Sequence, residues 1–341
     1  MRTLPLGQSG IQASVVGFGA WAAGGWLWGG ADANDAVAAI HAYLDGGGNL
    51  IDTAPMYGFG RSEEIVGQAI QGRRGQVVLA TKCGLIWHAE RGDFNFYSTH
   101  DTITGFKKDS PAPEGQPKPD HVIYRCLAPD IIRYEVEQSL RRMKVDYIDL
   151  LQTHWPETQT PRPETMACLM DLKREGKIRA IGVSNTTVPQ LEEYLSVGPV
   201  DNVQERYSLL DRRHNQSLLP FAGAKNIAFL CYSPLEQGLL SGKAAGRTFQ
   251  PGDQRLKNAK FQPEYLAKCE PLFKLQANLA EQYGATPGQV ALAWTLAQPG
   301  VTHTLAGARN IAQAVENAGA GRLALASAEV QALTDAAAAI G

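Results

Sequence analysis

The stretch NLIDTAPMYG, residues 49–58, decides the fold and much of the chemistry of this chain. Its apolar start predicts a short buried β-strand that ends at Asp52, and a proline-containing loop then carries Tyr57. Two other stretches have the same form: VVLATK at 77–82 ends in a lysine, and YIDLLQTH at 147–154 ends in a histidine. Parallel strands of an α/β barrel open their C-terminal ends onto one face, so we expect these polar residues to meet there.

Short β-type runs alternate with helical patterns along the whole chain. The candidate barrel strands are 15–17, 50–52, 77–81, 148–153, 180–184, 203–205, 228–232 and 303–305. Helical segments between them include 35–44, 62–70, 129–143, 163–175 and 216–224. A hairpin of 3–6 with 11–14, turning at 7–10, precedes the first strand. This alternation predicts an α/β fold, a single (β/α)8 TIM barrel with an N-terminal β-hairpin.

Two long connections, after strands 3 and 7, interrupt the regular spacing. Residues 84–127 are rich in glycine, proline, aromatic and charged residues, and 241–264 form the second long loop. Loops of this length are usually lids or disordered segments. We therefore expect residues 1–341 to form one domain, with 84–127 as an insertion that serves as a substrate lid. The lid's candidate side chains are Phe94, Phe96, Tyr97, Lys107 and Lys108.

The composition excludes several classes of protein. The 341 residues include 32 basic and 34 acidic side chains, and the net charge of -2 argues against a nucleic-acid partner. Residues 1–7 lack the apolar core of a signal peptide, and no stretch resembles a membrane span. The cysteines form no CxxC pair and no metal-ligand cluster, which favours a reducing cytoplasm: Cys83, Cys126, Cys168, Cys231 and Cys269. The sequence gives no indication of an oligomeric state.

Asp52, Tyr57, Lys82 and His154 together predict a site that delivers a proton. A free tyrosine has a pKa of about 10, and a lysine ammonium nearby would stabilise its phenolate and lower that value. Asp52 would pair with Lys82 and hold it, while His154 would hydrogen-bond a substrate oxygen. Together these residues would act as a general acid on a carbonyl oxygen, provided that another group supplies hydride to the carbon. Taken singly, each residue also fits a structural role, as a cap, a solvated strand end or a buried histidine.

A glycine motif in the first loop favours a different fold. GFGAWA at 17–22 follows a candidate strand and matches the GxGxxA fingerprint of a Rossmann dinucleotide-binding unit. The following residues, 23–30, contain four glycines, which are costly in the helix that this fingerprint requires. We therefore keep the Rossmann dehydrogenase as an alternative and expect these glycines to let the first loop approach the active site.

Several motifs together resemble the aldo-keto reductase family, along nearly the whole chain. They are IDTA at 51–54 with Tyr57-Gly58, GRSEE at 60–64, ATK at 80–82, DYIDL at 146–150, GKIR at 176–179 and IGVSN at 181–185. The branch that the chain most resembles is the bacterial one that includes general-stress and inositol-locus reductases. The resemblance implies a reversible NADPH-dependent carbonyl reductase in which Asp52, Tyr57, Lys82 and His154 form the catalytic tetrad. A non-catalytic interaction module, as in the channel β subunits that share this fold, is a further alternative.

The resemblance also implies a set of cofactor-binding residues. Ser184, Asn185 and Gln204 match positions that hold the nicotinamide carboxamide, and Tyr207 matches the tyrosine that stacks on the ring. Residues of the loop after the seventh strand match the pyrophosphate side, where backbone amides and Lys243 would meet phosphate. They are Tyr232, Ser233, Pro234, Leu235, Gly238, Leu240 and Lys243.

The stretch GARNIAQAVEN at 307–317 follows the eighth strand and opens a helix, whose N-terminus suits an anion. In the resemblance, Arg309 and Gln313 face the adenosine 2'-phosphate, whereas Glu316 and Asn317 contact adenine. Some branches place further basic residues where Gly307 and Gln313 stand here. The resemblance implies NADP(H) as the expected cofactor. Because the further basic residues are absent at Gly307 and Gln313, NAD(H) stays as the alternative. The resemblance implies no metal.

Tryptophans are the candidate substrate contacts. Those at or near the open end of the barrel are Trp21, Trp26, Trp28, Trp87 and Trp155, whereas Trp294 lies in a helical pattern typical of the core. Aromatic faces stack on sugar C–H surfaces and also pack against apolar carbonyl compounds. The branch and these loops together suggest a sugar or related polyhydroxylated carbonyl as the substrate.

Overall fold

The computed structural model of the protein describes residues 1–98, 121–243 and 246–340. Its strands in chain order are β1 Thr3–Pro5, β2 Gln12–Ser14, β3 Val16–Gly19, β4 Leu50–Asp52, β5 Val78–Cys83, β6 Leu85–Ile86, β7 Asp93–Tyr97, β8 Val122–Arg125, β9 Ile148–Thr153, β10 Ile178–Ser184, β11 Asn202–Arg206, β12 Ala228–Tyr232 and β13 His303–Gly307. Eight of them form a closed barrel in the order β3-β4-β5-β9-β10-β11-β12-β13, with every neighbouring pair parallel. The predicted barrel is therefore confirmed.

The N-terminal hairpin closes one end of this barrel. β1 and β2 pair antiparallel with Thr3 opposite Ser14, as predicted. Leu6, Ile11 and Ala13 of the hairpin are buried in one cluster with the side chains that fill the barrel. These are Leu50, Val78, Ala80, Leu150, Ala180, Ala228, Leu230 and Leu305. The barrel interior is thus a packed apolar core beneath its C-terminal face.

Helices cover the outside of the barrel. They are α1 Ala33–Asp45, α2 Arg61–Ala69, α3 Pro129–Met143, α4 Arg162–Arg174, α5 Val188–Leu195, α6 Leu218–Ala224, α7 Pro263–Tyr283, α8 Pro287–Leu296, α9 Ile311–Gly319 and α10 Ser327–Ala338. Several begin with proline in the first turn, where its missing N–H costs nothing, and α5 and α8 also have capping boxes. Trp294 of α8 is fully buried in the layer between helices and barrel, as expected.

The described part of the insertion, 84–98 and 121–127, contains strands that the sequence patterns did not predict. β6, β8 and β7 pair antiparallel in that order, with a register shift between Phe94 and Phe96. The candidate lid residues Lys107 and Lys108 lie outside the described residues.

The closed barrel overturns the Rossmann alternative, which requires an open sheet. Gly17 lies within β3, and a 3-10 helix at Ala20–Gly24 follows it in place of the long α-helix of a dinucleotide fold. Over the described residues, no helix combines the length and the apolar character needed to cross a bilayer.

Candidate active site

Lys82 lies at the centre of a group of polar side chains at the C-terminal face of the barrel. Its Nζ donates to Asp52 Oδ1 at 2.5 Å, to the Thr53 carbonyl at 3.1 Å and to Tyr57 Oη at 3.2 Å. The side chains of Asp52 and Lys82 are 3% and 1% exposed. Because β4 and β5 are neighbours in the barrel, their C-terminal ends bring Asp52 and Lys82 together although the two residues are far apart in sequence.

His154 follows β9 and lies against Tyr57, with ring centroids 5.8 Å apart and the rings nearly perpendicular. Burial, and secondarily the charge of Lys82, hold the pKa of His154 well below its usual value, so its imidazole is neutral at pH 7. A neutral imidazole still has one N–H to donate to a substrate oxygen. The predicted convergence of the four residues is therefore seen in the structure.

The pKa of Tyr57 differs from the sequence-based expectation. Burial raises the pKa of Tyr57 above its usual 10, and the nearby charge of Asp52 adds to this rise. Lys82 acts in the expected direction and lowers the pKa, through its charge and its hydrogen bond, but burial outweighs it. The phenol is therefore protonated at neutral pH, as a proton donor must be before it reacts.

Two buried amides hold the second oxygen of Asp52. Gln204 of β11 donates from Nε2 to Asp52 Oδ2 at 2.8 Å and to Gln152 Oε1 at 3.0 Å. Gln152 of β9 donates from Nε2 to the same Oδ2 at 3.1 Å. Both oxygens of Asp52 are therefore engaged, as a buried carboxylate requires.

Glycines allow the first loop to reach the active site, as expected. A Cβ at Gly24 would lie 2.4 Å from the Tyr57 carbonyl oxygen, and one at Gly58 would lie 2.3 Å from the Gly24 carbonyl oxygen. Gly58 also has φ +74°, which L residues rarely adopt. This close approach places the ring of Trp21 nearly parallel to that of Tyr57, with centroids 5.9 Å apart.

A cavity of about 820 Å³ opens beside this group. Asp52, Tyr57 and His154 line it, whereas Lys82 is buried behind them. The predicted cofactor residues that line it are Ser184, Asn185, Gln204, Tyr232, Ser233, Pro234, Leu235, Gly238, Lys243, Gly307, Arg309, Gln313, Glu316 and Asn317. Of the candidate substrate contacts, Trp21, Trp26, Trp28 and Trp155 line it. One elongated cavity thus joins the tetrad to the N-terminus of α9.

Three predicted site residues do not line the cavity and are corrected. Tyr207 is fully buried on the helix side of the barrel, with its ring parallel to Trp294 at a centroid distance of 6.0 Å, so it cannot stack on a nicotinamide. Leu240 is fully buried in the core between barrel and helices. Trp87 packs edge-on against Phe59, with ring centroids 5.4 Å apart, in a cluster that residues of the insertion form with Met56 and Trp26.

The turn after β10 is held in a conformation that aims its side chains into the cavity. Asn185 has φ +57°, and its Nδ2 donates to the His154 carbonyl at 2.9 Å and to Ser184 Oγ at 3.1 Å. Tyr232 Oη donates to Asn185 Oδ1 at 2.8 Å. Glu205, behind the turn, accepts the Thr186 N–H at 2.7 Å, and burial raises its pKa to about 8.

Two arginines of the loop after β12 also line the cavity, and the sequence patterns did not identify them. Arg247 and Arg255 lie close enough to Arg309 for the charges to interact. Burial first, and then neighbouring arginines, lower the pKa of both Arg247 and Arg309, while Asp253 pairs with Arg255 at 2.5 Å. Three guanidinium groups facing one half-buried space favour a polyanionic ligand. Their position in the irregular 241–264 loop left no periodic signal.

Comparison with known proteins agrees with this geometry. The sequence profile of the aldo/keto reductase family matches residues 15–338. The chain belongs to the aldo/keto reductase family. Among its relatives are aldo-keto reductase YhdN of Bacillus subtilis, 39% identical over 92% of this chain and 86% of that protein, and the NADH-specific methylglyoxal reductase of Escherichia coli, 39% identical over 96% of both.

Solved aldo/keto reductases share the fold as well. A glycerol dehydrogenase of Gluconobacter oxydans superposes with a TM-score of 0.80 at 37% identity, over 96% of this chain and 92% of that one. An aldo/keto reductase of Klebsiella pneumoniae, solved with NADP and acetate, gives a TM-score of 0.67 at 27% identity, over 98% and 94%. The chain is therefore an NAD(P)H-dependent oxidoreductase of the carbonyl-reducing type.

Proposed function

We propose that this protein reduces an aldehyde or ketone reversibly to the alcohol, with hydride from NADPH and the proton from Tyr57. The observation that carries the proposal is the position of Lys82 Nζ, 2.5 Å from Asp52 Oδ1 and 3.2 Å from Tyr57 Oη, directly behind the wall of the cavity. This arrangement gives a protonated phenol, a fixed cation behind it and a neutral His154 beside it.

In this reaction the carbonyl oxygen accepts hydrogen bonds from Tyr57 Oη and from the His154 imidazole. Both groups are fixed before substrate binds, so they stabilise the negative charge that develops on oxygen without reorganising. As Tyr57 gives up its proton, Lys82 stabilises the phenolate that forms. The bound cofactor supplies the hydride to the carbonyl carbon. In the direction of alcohol oxidation Tyr57 takes the proton back.

The residues at the inner end of the cavity fit a nicotinamide ring. Gln204 uses both amide hydrogens on Asp52 and Gln152, so its Oε1 is the atom available to accept from a carboxamide N–H₂. Ser184 and Asn185 line the same part of the cavity. We assign the stacking position to Tyr232 in place of Tyr207, because Tyr232 lines the cavity and its hydroxyl is anchored on Asn185. A ring stacked there would present one face to the substrate.

The outer end of the cavity supports NADP(H) as the preferred cofactor. Arg247 and Arg309 face a space in which a phosphate would relieve the repulsion between them. Gln313 accepts the Arg309 N–H at 2.9 Å and so fixes the start of α9. NAD(H) is the alternative, since the Escherichia coli relative is named as NADH-specific.

For the substrate, we propose a short sugar or related polyhydroxylated carbonyl. Methylglyoxal and glycerol, in the names of two similar proteins, are small molecules with oxygen on adjacent carbons. Trp21, Trp26 and Trp155 supply aromatic faces for C–H stacking.

We further propose that the chain forms one domain and that the insertion at 84–127 is the substrate lid. Phe96 of β7 lines the cavity and stacks on Trp26, with centroids 6.1 Å apart and an interplanar angle of 15°. The insertion therefore contributes a wall where a substrate would sit, directly beside the first loop.

A screen of nicotinamide oxidation across carbonyl classes, with NADPH and NADH, tests the proposal. Aldoses, keto-sugars and 2-oxoaldehydes should turn over faster than hydrophobic ketones, and the reverse order would overturn the substrate class. Tyr57→Phe should lower kcat by about 10²- to 10⁴-fold while cofactor binding is kept. Tyr194→Phe, a buried tyrosine of α5 that does not line the cavity, is the matched control. Tight cofactor binding without any turnover would favour the interaction module instead.

A further inference from the structure

Gln152, a fully buried residue of β9, is hydrogen-bonded both to Asp52 of the tetrad and to Gln204 of the cavity wall. It stands directly opposite Lys82 in the pairing of β9 with β5. It does not line the cavity, so it touches neither substrate nor cofactor. Burying a side-chain amide costs free energy unless the amide forms hydrogen bonds. The hydrogen-bond partners of Gln152 therefore indicate its role.

The contacts of Gln152 form a triangle with Asp52 and Gln204. Gln152 Nε2 donates to Asp52 Oδ2 at 3.1 Å, and its Oε1 accepts from Gln204 Nε2 at 3.0 Å. Gln204 Nε2 closes the triangle on the same Oδ2 at 2.8 Å. Asp52 Oδ1 is thereby left to Lys82. Each amide fixes the orientation of the other, and both fix the plane of the carboxylate.

The barrel makes room for this triangle at one position of β10. Gly182 is paired with Gln152 on one side and with Asn202 on the other. A Cβ at Gly182 would lie 2.7 Å from Gln152 Cγ, closer than side-chain atoms approach. The absence of a side chain at Gly182 thus leaves the space that the Gln152 side chain occupies.

We propose that Gln152 is a positioning residue for carbonyl reduction, because it locks Asp52 and Gln204 together and so couples the residue that faces the cofactor to the proton donor. This inference rests on the proposed function. A shift of Gln204 on cofactor binding would be transmitted through the shared carboxylate oxygen to Asp52, and from there to Lys82 and Tyr57.

The electrostatic consequence follows from the groups that face Tyr57. These are Asp52 from β4, Lys82 from β5, His154 after β9 and Tyr232 from β12. Of these, Asp52 raises the pKa of Tyr57 and Lys82 lowers it. Hydrogen bonds from Gln152 and Gln204 spread the negative charge of Asp52, so their loss would strengthen its effect and raise the pKa of Tyr57 further.

Gln152→Met removes both hydrogen bonds and keeps a side chain of similar length. For the reduction direction we expect kcat to fall by about 10- to 100-fold, since hydrogen bonds to charged groups are the strong ones, while the KM for the carbonyl changes less than about threefold. The alkaline limb of the pH profile, which reports loss of the Tyr57 proton, should move up by about one unit. An unchanged kcat and an unchanged limb would overturn the proposal.

Asn202→Ala is the matched control, because Asn202 is also a buried amide on the barrel strands. Among the described residues, its Nδ2 donates only to the backbone carbonyls of Val203 and Ala228, at 3.3 and 3.2 Å. We expect this variant to lose stability without moving the alkaline limb. If it moves the limb as far as Gln152→Met does, the role of Gln152 is structural and the proposal fails.

Gln152→Glu provides a second test of the positioning role if Gln152→Met does not fold. When protonated, the new carboxyl can donate to Asp52 Oδ2 as the amide did, whereas the ionised form places a second negative charge against it. We expect activity to be retained at acid pH and to fall through an additional ionisation that the wild type lacks. A profile identical to that of the wild type would refute the positioning role.

The two proposals fail separately. If the wild type reduces no carbonyl compound, the proposed function is wrong. If the wild type is active and Tyr57→Phe is inactive, yet both Gln152 variants match the wild type in kcat and pH profile, only the positioning role is wrong.

Discussion

Neutralising the buried pair of Asp52 and Lys82, singly and together, separates what the pair does for stability from what it does for catalysis. At the observed 2.5 Å and an effective dielectric constant of about 20, the attraction between the two charges is about 7 kcal/mol. Desolvation of two buried ions offsets most of it. Removing one partner leaves the other charged and buried, so Lys82→Met and Asp52→Asn should each cost about 3–5 kcal/mol of unfolding free energy.

The double variant should be far more stable than the sum of the single variants predicts. With both charges gone, the remaining groups are an amide and a thioether in a well-packed barrel, and we expect a cost of only about 0–2 kcal/mol. Urea unfolding followed by the fluorescence of the six tryptophans gives the four free energies by linear extrapolation. The coupling between the two sites should exceed about 3 kcal/mol.

Activity should behave in the opposite way. The double variant recovers stability but not the cation that stabilises the Tyr57 phenolate, so its kcat should stay about 10²-fold or more below the wild type. Additive stability costs would refute the reasoning about burial. Recovery of kcat in the double variant would refute the role given to Lys82.

Three further predictions concern other parts of the site. Gly24→Ala should destabilise the fold by about 2 kcal/mol or more and lower kcat, because its Cβ would lie 2.4 Å from a backbone oxygen. Gly75→Ala is the control, because, apart from its chain neighbours, no atom of the described residues lies within 4 Å of its added Cβ, and equal effects in the two variants would contradict the steric argument. Burial raises the pKa of Glu205 to about 8, so the native carboxyl keeps a proton that the unfolded chain loses above about pH 4.5. The wild type should therefore lose stability as pH rises from about 4.5 to about 8. Urea unfolding midpoints at about pH 5 and about pH 8 should show a smaller loss of stability in Glu205→Gln than in the wild type. Arg309→Ala should raise the KM for NADPH by about 10- to 100-fold and that for NADH much less, and an equal rise for both would place Arg309 elsewhere than on the 2'-phosphate.

The tetrad could be predicted because each member ends or follows an apolar run that can be recognised as a buried strand from the sequence alone. Lys82 and His154 are polar residues at points where strands meet the open face of the barrel, and that pattern needs no tertiary information. Tyr207 could have been excluded by the same kind of reasoning. If Gln204 faces the barrel interior, the alternation of a strand turns Arg206 inward and Tyr207 outward, and the cavity is indeed lined by Gln204 and Arg206.

Other parts of the site could not be predicted because they depend on contacts distant in sequence. Arg255 lies under the first loop through backbone pairing of Trp28 with Asp253, and no local pattern in 241–264 indicates that pairing. The short strands of the insertion were missed because their pairing partners lie on either side of a long intervening segment. Gln152 lies within the predicted strand 148–153, and a single polar residue in an apolar run does not reveal its partners.

The barrel explains how charged groups can be buried at this site at all. Beneath Asp52 and Lys82 the interior is filled by apolar side chains such as Leu50 and Leu150, which keep water out and leave the pair to find its partners within the protein. Replacing a buried ion pair by hydrophobic residues of similar volume is often neutral or stabilising. The charges are therefore retained at a cost in stability, because a cation fixed 3.2 Å from Tyr57 Oη, in a place that water cannot screen, stabilises the phenolate only as the proton leaves. The amides of Gln152 and Gln204 then limit this cost, since they satisfy the carboxylate oxygen that Lys82 does not reach.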